Sequence, residues 1–280
     1  VAGFKAACVQ LNAGNDLAAN LRAIESSVRE AAAHGAQLVT LPEYAALLDG
    51  SGRVMRENSF AEDVHPALAT CRALARETGV WLLAGSVTIR IDDSSMANRS
   101  FLFGPDGAVV ARYDKIHMFD VTLPSGKVIR ESSAYRPGDR AVMAQTPWGL
   151  MGMTVCYDLR FPQLFRALAR AGALFLTVPA SFQRETGVAH WHSLLRARAI
   201  ENLAYVVAPA MCGEHPGGRS TYGHSLIIDP WGNIIAELGT EPDICYADIN
   251  PDEVLRVRTM LPALTHDTDF IAPSAPAAAG

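Results

Sequence analysis

Three residues able to share one piece of chemistry stand just past apolar runs: Glu43 after residues 37–41, Lys115 after 108–113 and Cys156 after 151–155. A thiolate is a strong nucleophile, a nearby ammonium favours the thiolate, and a carboxylate can take the proton that the thiol gives up. Together they would make an activated nucleophile without a histidine. Singly they mean little, because a free cysteine is commonly a small buried hydrophobe and a lone charge is commonly exposed or ion-paired.

The elements that must bring these residues together are read from hydrophobic periodicity. Residues 4–11 form a buried strand, Leu17, Leu21, Ile24 and Val28 then recur at helical spacing until Gly35, and 37–41 is a second strand. A helix over 66–78, stopped by Gly79, leads into a strand over 80–89. Residues 98–103 and 108–113 flank Gly104-Pro105-Asp106-Gly107, whose Asp-Gly step supplies the positive φ of a tight hairpin, so antiparallel pairing enters the sheet. Further strands are predicted near 151–155, 174–178, 205–210 and 225–229, with helices over 161–171 and 188–203. The pattern is that of an α/β layer structure with a mixed sheet, in which ligands gather at the carboxyl ends of strands. The irregular stretch 116–140 is long for a connection and should border a site. Pro147-Trp148-Gly149 and Pro230-Trp231-Gly232 share turn chemistry, but no fixed period surrounds them. We expect one domain over 1–271, and a disordered or extended tail over 272–280, which holds only Ala, Pro, Ser and Gly.

Composition narrows the function classes. Net charge is -5 over 280 residues, with Lys and Arg scattered, so no footprint for nucleic acid or an anionic membrane appears and small molecules are the expected partners. No apolar run nears the roughly 20 residues of a membrane span, and the first residues lack a secretory layout. Five widely spaced cysteines with no Cys-x-x-Cys argue against a disulfide framework or zinc knuckle and fit reduced thiols in cytoplasm. There is no glycine-rich nucleotide loop. His117, His190, His192 and His224 would supply the base of a Cys-His hydrolase, but no papain-like text surrounds Cys156. His190 and His192 alternate on a predicted helix and face apart, so no metal pair is expected there. Gly223-His224-Ser225 lacks the second glycine of a serine elbow. Asn98-Arg99-Ser100 reads as a fortuitous glycosylation triplet.

Leu41-Pro42-Glu43-Tyr44, Tyr113-Asp114-Lys115-Ile116-His117-Met118-Phe119-Asp120 and Cys156-Tyr157-Asp158-Leu159-Arg160-Phe161-Pro162 resemble, in order and spacing, the three signature segments of the nitrilase or carbon-nitrogen hydrolase superfamily. The likeness continues through Ala189-His190-Trp191, residues 195–202 and Tyr222-Gly223-His224-Ser225 to Asp229-Pro230-Trp231-Gly232. The resemblance implies a four-layer α-β-β-α sandwich with a mixed sheet, commonly paired into homodimers, and a Glu-Lys-Cys triad of Glu43, Lys115 and Cys156. A second family glutamate is matched by Glu131, holding Lys115 or positioning substrate.

The implied reaction is amide hydrolysis through a thioester. Cys156 attacks, Glu43 carries the proton in both half-reactions, and Lys115 with the backbone N–H of Tyr157 faces the oxyanion. Burial should then raise the pKa of Glu43. No cofactor or metal is expected, since Lys115 does the electrostatic work that metal-dependent amidases assign to zinc. Ser181-Phe182-Gln183, 186–191 and 194–202 are most similar to the branch that hydrolyses deaminated glutathione, related to ω-amidases acting on 2-oxoglutaramate. An ω-amidase acting on 2-oxoglutaramate, an N-carbamoyl amino acid amidohydrolase, or an interaction protein that merely keeps the fold are the alternatives. Arg160 is the candidate clamp for a substrate carboxylate, against a structural ion pair with Asp158 or another carboxylate. Arg219 is a weaker candidate, against a solvated loop charge.

Overall fold

In the strand Phe4–Gln10 only Lys5 escapes full burial, yet the side chains still divide by twos. Phe4, Ala6 and Cys8 enter one apolar cluster, while Ala7 and Val9 enter another. A strand without polar alternation is what a sheet covered on both faces requires. The computed structural model, which describes residues 2–266 and 268–271, shows what does the covering.

The first sheet has seven strands. Phe4–Gln10, Leu38–Thr40 and Trp81–Leu83 run parallel at its centre. Asp243–Ile249 pairs antiparallel with Phe4–Gln10 on one side, and on the other Met96–Phe103 carries both Val87–Arg90 and Val109–Asp114. The second sheet has six. Gly149–Met153, Phe175–Thr177 and Tyr205–Ala208 are its parallel centre, flanked antiparallel by Val142–Thr146 on one side and by Leu226–Ile228 and Ile234–Glu237 on the other.

The sheets face each other through Phe4, Leu38, Leu83 and Leu102 on one side and Met151, Met153, Phe175 and Val207 on the other. The Phe4 ring stacks on Trp148 at 4.1 Å. Helices Leu17–Ala33 and Pro66–Thr78 cover the outer face of the first sheet with Ile24, Val28, Leu68 and Leu74. Helices Pro162–Arg170 and Arg184–Asn202 cover the second with Phe165, Leu168, Trp191 and Leu195. This is the expected α-β-β-α sandwich. The first helix is capped by Asp16, whose carboxylate accepts the Ala19 N–H at 3.0 Å, a contact of about 1 kcal/mol.

Several elements depart from the sequence reading. The single strand expected over 80–89 is two, Trp81–Leu83 and Val87–Arg90, because Gly85 turns the chain with φ +66 between them. The second long helix begins at Arg184 rather than 188, with Gly187 inside it. A Cβ on Gly187 would lie 2.4 Å from the Tyr222 Cβ, so close packing accounts for a glycine that reads as a breaker. The stretch 214–219 is no free loop; it belongs to a two-stranded ribbon, Cys212–His215 with Arg219–Tyr222. A second ribbon, Asp120–Thr122 with Val128–Arg130, lies within the long irregular segment. The expected tail over 272–280 lies outside the described residues.

Candidate active site

Each of the three singled-out residues is placed by a strand end. Leu41 N–H donates to Leu83 O at 2.9 Å, extending the parallel ladder to Glu43, which bridges to Ser86. The backbone at Gly85 approaches so closely that a Cβ would sit 2.0 Å from Pro42 O, so a side chain there would displace the Glu43 turn. Lys115 continues Val109–Asp114, its N–H donating to Asn98 O at 3.0 Å. Cys156 comes from the opposite sheet, with φ 49 and its N–H donating to Pro179 O at 2.9 Å. A non-glycine residue held in the left-handed region costs on the order of 1–3 kcal/mol and persists only where neighbours impose it. Asp158 imposes it here. Its buried carboxylate accepts the Val155 N–H at 2.9 Å, the Tyr113 hydroxyl at 2.7 Å and the His117 N–H at 3.1 Å, tying the turn to both sheets.

Around them the charges are paired and buried. Lys115 Nζ donates to Glu131 Oε2 at 2.7 Å, Glu131 Oε1 at 3.0 Å and Glu43 Oε1 at 3.3 Å. Glu43 Oε1 also accepts from Asn98 Nδ2 at 2.8 Å, and its Oε2 accepts from the Ser181 N–H at 2.8 Å and hydroxyl at 2.6 Å. Glu131 is held in turn by the Phe119 N–H at 2.6 Å and the Tyr44 hydroxyl at 3.1 Å. The Cys156 thiol lies close enough to Glu43 and Lys115 for both charges to act on it. The structure thus brings Glu43, Lys115, Cys156 and Glu131 into one network.

The protonation pattern corrects two expectations. Burial pushes the Glu43 carboxyl up, but the Lys115 ammonium, then the Arg219 guanidinium and the Ser181 hydrogen bonds, outweigh it and hold it at about 2. Burial here arrives together with two cations, so a raised value does not result. Burial pushes the Cys156 thiol well up, the Glu43 charge adds to that, and the Lys115 charge only opposes it. Burial pulls Lys115 down, but Glu131 and Glu43 lift it above the ordinary lysine range. The resting site is therefore a neutral thiol beside an ionised carboxylate and a firmly held ammonium.

A cavity of about 290 Å³ opens over this floor, with Tyr44, Tyr157 and Arg219 in its walls and Lys127 and Arg130 at its rim. Arg219 is not a solvated loop charge. From the ribbon it reaches Ser181 Oγ at 2.6 Å, and its guanidinium lies 5.9 Å from the Tyr44 ring centroid. Its Nε is buried without a hydrogen-bond partner among the described residues. Arg160 does not line the cavity, nor does it pair with Asp158. Its guanidinium lies 5.4 Å from the Phe182 ring centroid and 5.9 Å from that of Tyr157, behind two residues that do line it. Asn98, 1% exposed, is a ligand of Glu43 and no glycosylation site. Sequence reasoning passed over Asn98, Ser181 and Asp158 as partners of the network, although each stood in a segment singled out for another reason.

A profile of the carbon-nitrogen hydrolases matches residues 5–259. The chain belongs to the carbon-nitrogen hydrolase family. The hydrolase is similar to the deaminated glutathione amidase of Synechocystis sp., 39% identical over 268 residues, which are 94% of this chain and 97% of that one. Among solved structures it resembles the NitFhit protein of C. elegans, with a TM-score of 0.88 and 33% identity; the match covers 95% of this chain and 65% of that longer one. It also resembles an amidase from Nesterenkonia sp. AN1 whose active site cysteine has added acrylamide, with a TM-score of 0.77 and 28% identity over 92% of this chain and 98% of that one. No helix among the described residues is long and apolar enough to cross a membrane.

Proposed function

We propose that this hydrolase releases ammonia from a small carboxylate-bearing amide, with deaminated glutathione as its preferred substrate. The observation that carries the reading is the meeting of Glu43, Lys115 and Cys156, from two different sheets, on the floor of one cavity walled by Arg219. Its likeness to a deaminated glutathione amidase over nearly the whole of both chains supports the choice of substrate.

In the first half-reaction Cys156 attacks the amide carbonyl carbon while ionised Glu43 takes the thiol proton. The carbonyl oxygen gains charge facing the Lys115 ammonium and the Tyr157 backbone N–H, contacts of a kind worth about 3 to 4 kcal/mol. Glu43 returns the proton to the nitrogen, the carbon-nitrogen bond breaks and ammonia leaves. Water, activated by Glu43, then opens the thioester and restores the thiol, so amide and water become a carboxylic acid and ammonia, which ionise to carboxylate and ammonium. The low resting pKa of Glu43 suits this order, because the carboxylate starts ionised and gains its proton only as attack begins. Glu131 holds Lys115 aimed inward.

For the substrate carboxylate we favour Arg219 over Arg160. Arg219 lines the cavity, whereas Arg160 stands behind Tyr157 and Phe182. We also propose a homodimer, supported by exposed Val188 and Ile200 on the helix Arg184–Asn202 and exposed Leu255 and Met260 on Pro251–Met260. Five free, buried cysteines fit a reducing cytoplasm.

The test is ammonia release from deaminated glutathione, 2-oxoglutaramate, a neutral aliphatic amide, an N-carbamoyl amino acid and a nitrile, with Cys156→Ala as the blank. Highest kcat/KM on deaminated glutathione is expected. Preference for a neutral amide would overturn the substrate reading, and no turnover of any amide would overturn the enzymatic one.

A further inference from the structure

Away from the cavity, three chain segments converge on one oxygen. His192 projects from the helix Arg184–Asn202, His224 lies between the strands Arg219–Tyr222 and Leu226–Ile228, and Glu237 ends Ile234–Glu237. His192 Nε2 is 2.7 Å and His224 Nδ1 3.2 Å from the same Glu237 Oε1, and all three atoms lie within 4.8 Å of one another. None of the three lines the cavity, and the proposed reaction uses none of them.

The cluster is held in place. His224 sits in the left-handed region with φ 54, its N–H donates to Gly239 O at 2.9 Å, and its carbonyl accepts the Trp191 indole N–H at 2.8 Å. Its ring stacks on Tyr222 at 4.3 Å, and the His192 ring meets it edge-on at 5.3 Å. Backbone of this kind costs on the order of 1–3 kcal/mol and points the imidazole at His192 and Glu237. The side chains remain 31%, 24% and 34% exposed for His192, His224 and Glu237, so water and ions reach them.

We propose that His192, His224 and Glu237 form a binding site for a divalent transition-metal cation of the zinc class. Two imidazoles and one carboxylate are a donor set suited to Zn²⁺, Co²⁺, Ni²⁺ or Cu²⁺, whereas Mg²⁺ and Ca²⁺ take oxygen ligands. Metal–ligand bonds of roughly 2.0–2.2 Å set tetrahedral ligand atoms about 3.3 Å apart, near the 3.2 Å from His224 to Glu237, so an ion would need small shifts from the 2.7 Å at which His192 now meets Glu237. Solvent completes the coordination at the open side. The bound ion would tie the long helix to the ribbon that presents Arg219, since Gly187 of that helix already packs on Tyr222 beneath the His224 ring.

The experiment uses the full chain carrying Cys156→Ala, which removes the reactive thiol. Titration with Co²⁺ should show one equivalent bound, with weak visible bands of nitrogen and oxygen ligation and no intense near-ultraviolet thiolate band. Zn²⁺ should displace it and raise the unfolding temperature. His192→Ala with His224→Ala should weaken Zn²⁺ binding by roughly 100-fold or more, given that even outer-shell changes cost 10–100-fold. Glu237→Gln, which keeps a hydrogen-bond acceptor between the imidazoles, should weaken it at least about tenfold and guards against misfolding of the double variant. Absence of stoichiometric Co²⁺, binding indifferent to these substitutions, or a thiolate signature would each overturn the site.

Discussion

Lys115 reaches the cavity floor from a strand registered into a seven-stranded sheet, whereas Arg219 reaches the wall from a ribbon that pairs with neither large sheet. The two cations differ accordingly. Lys115 is 2% exposed and spends its hydrogen bonds on two carboxylates, while Arg219 is half-buried and donates to the carbonyl and hydroxyl of Ser181. A floor whose charges satisfy one another keeps its geometry with or without substrate, and a wall cation held by neutral oxygens answers to the charge that enters. Chemistry should therefore fail with floor substitutions and affinity with wall substitutions.

Cys156→Ala gives the largest effect, a loss of kcat of about 10⁴-fold or more, with ammonia release as the measurement. Glu43→Gln follows at about 10³-fold. Lys115→Met should lower kcat about 10²- to 10³-fold and also lower stability by about 3–5 kcal/mol in urea unfolding, because Glu43 and Glu131 would face each other buried without their cation. Arg219→Gln should raise KM for a carboxylate-bearing amide by roughly 10- to 100-fold, the worth of a charge-assisted hydrogen bond, and leave the KM of a neutral amide alone. If Arg219→Gln destabilised the protein as much as Lys115→Met does, the contrast between floor and wall would break. Lys127→Ala, which removes only a 2.8 Å bond from the exposed rim to Gly218 O, should change KM less than about threefold.

Acid titration sharpens the same contrast. Glu43 is depressed on folding, so it adds stability above its unfolded value near 4.5 and that stability is lost as pH falls toward about 2. Wild type should therefore lose more stability than Glu43→Gln over that window, measured by urea unfolding at stepped pH. Equal losses would remove Glu43 from the buried charge network.

Glu43, Lys115 and Cys156 were legible in the sequence because each follows an apolar run and strand periodicity survives burial on both faces, whereas Glu131 came only from the family resemblance. Their ligands were less so. Asn98 and Ser181 read as ordinary polar residues, and their role depends on which strands become neighbours across the two sheets. The low pKa of Glu43 was misread because burial was weighed without the opposing Lys115 charge already expected beside it, to which a distant segment adds the Arg219 charge. The wall was hidden by Pro216, Gly217 and Gly218, which suggest a loop and in fact make the tight end of a ribbon. His192 and His190 do face apart, as helical spacing requires, yet His192 finds His224 and Glu237 instead, a meeting that no local spacing announces.

The register of Asp243–Ile249 against Phe4–Gln10, from Phe4↔Ile249 to Gln10↔Asp243, has a consequence for synthesis. One flank of Phe4–Gln10 stays open on the ribosome until Asp243–Ile249, the last strand among the described residues, has been translated. A chain stalled before Asp243 would present Phe4–Gln10 as an unpaired, apolar edge, ready to recruit the same edge of another nascent copy. Folding to the closed sheet is thus a late, non-local event, and chaperone dependence should fall sharply once residue 249 clears the exit tunnel.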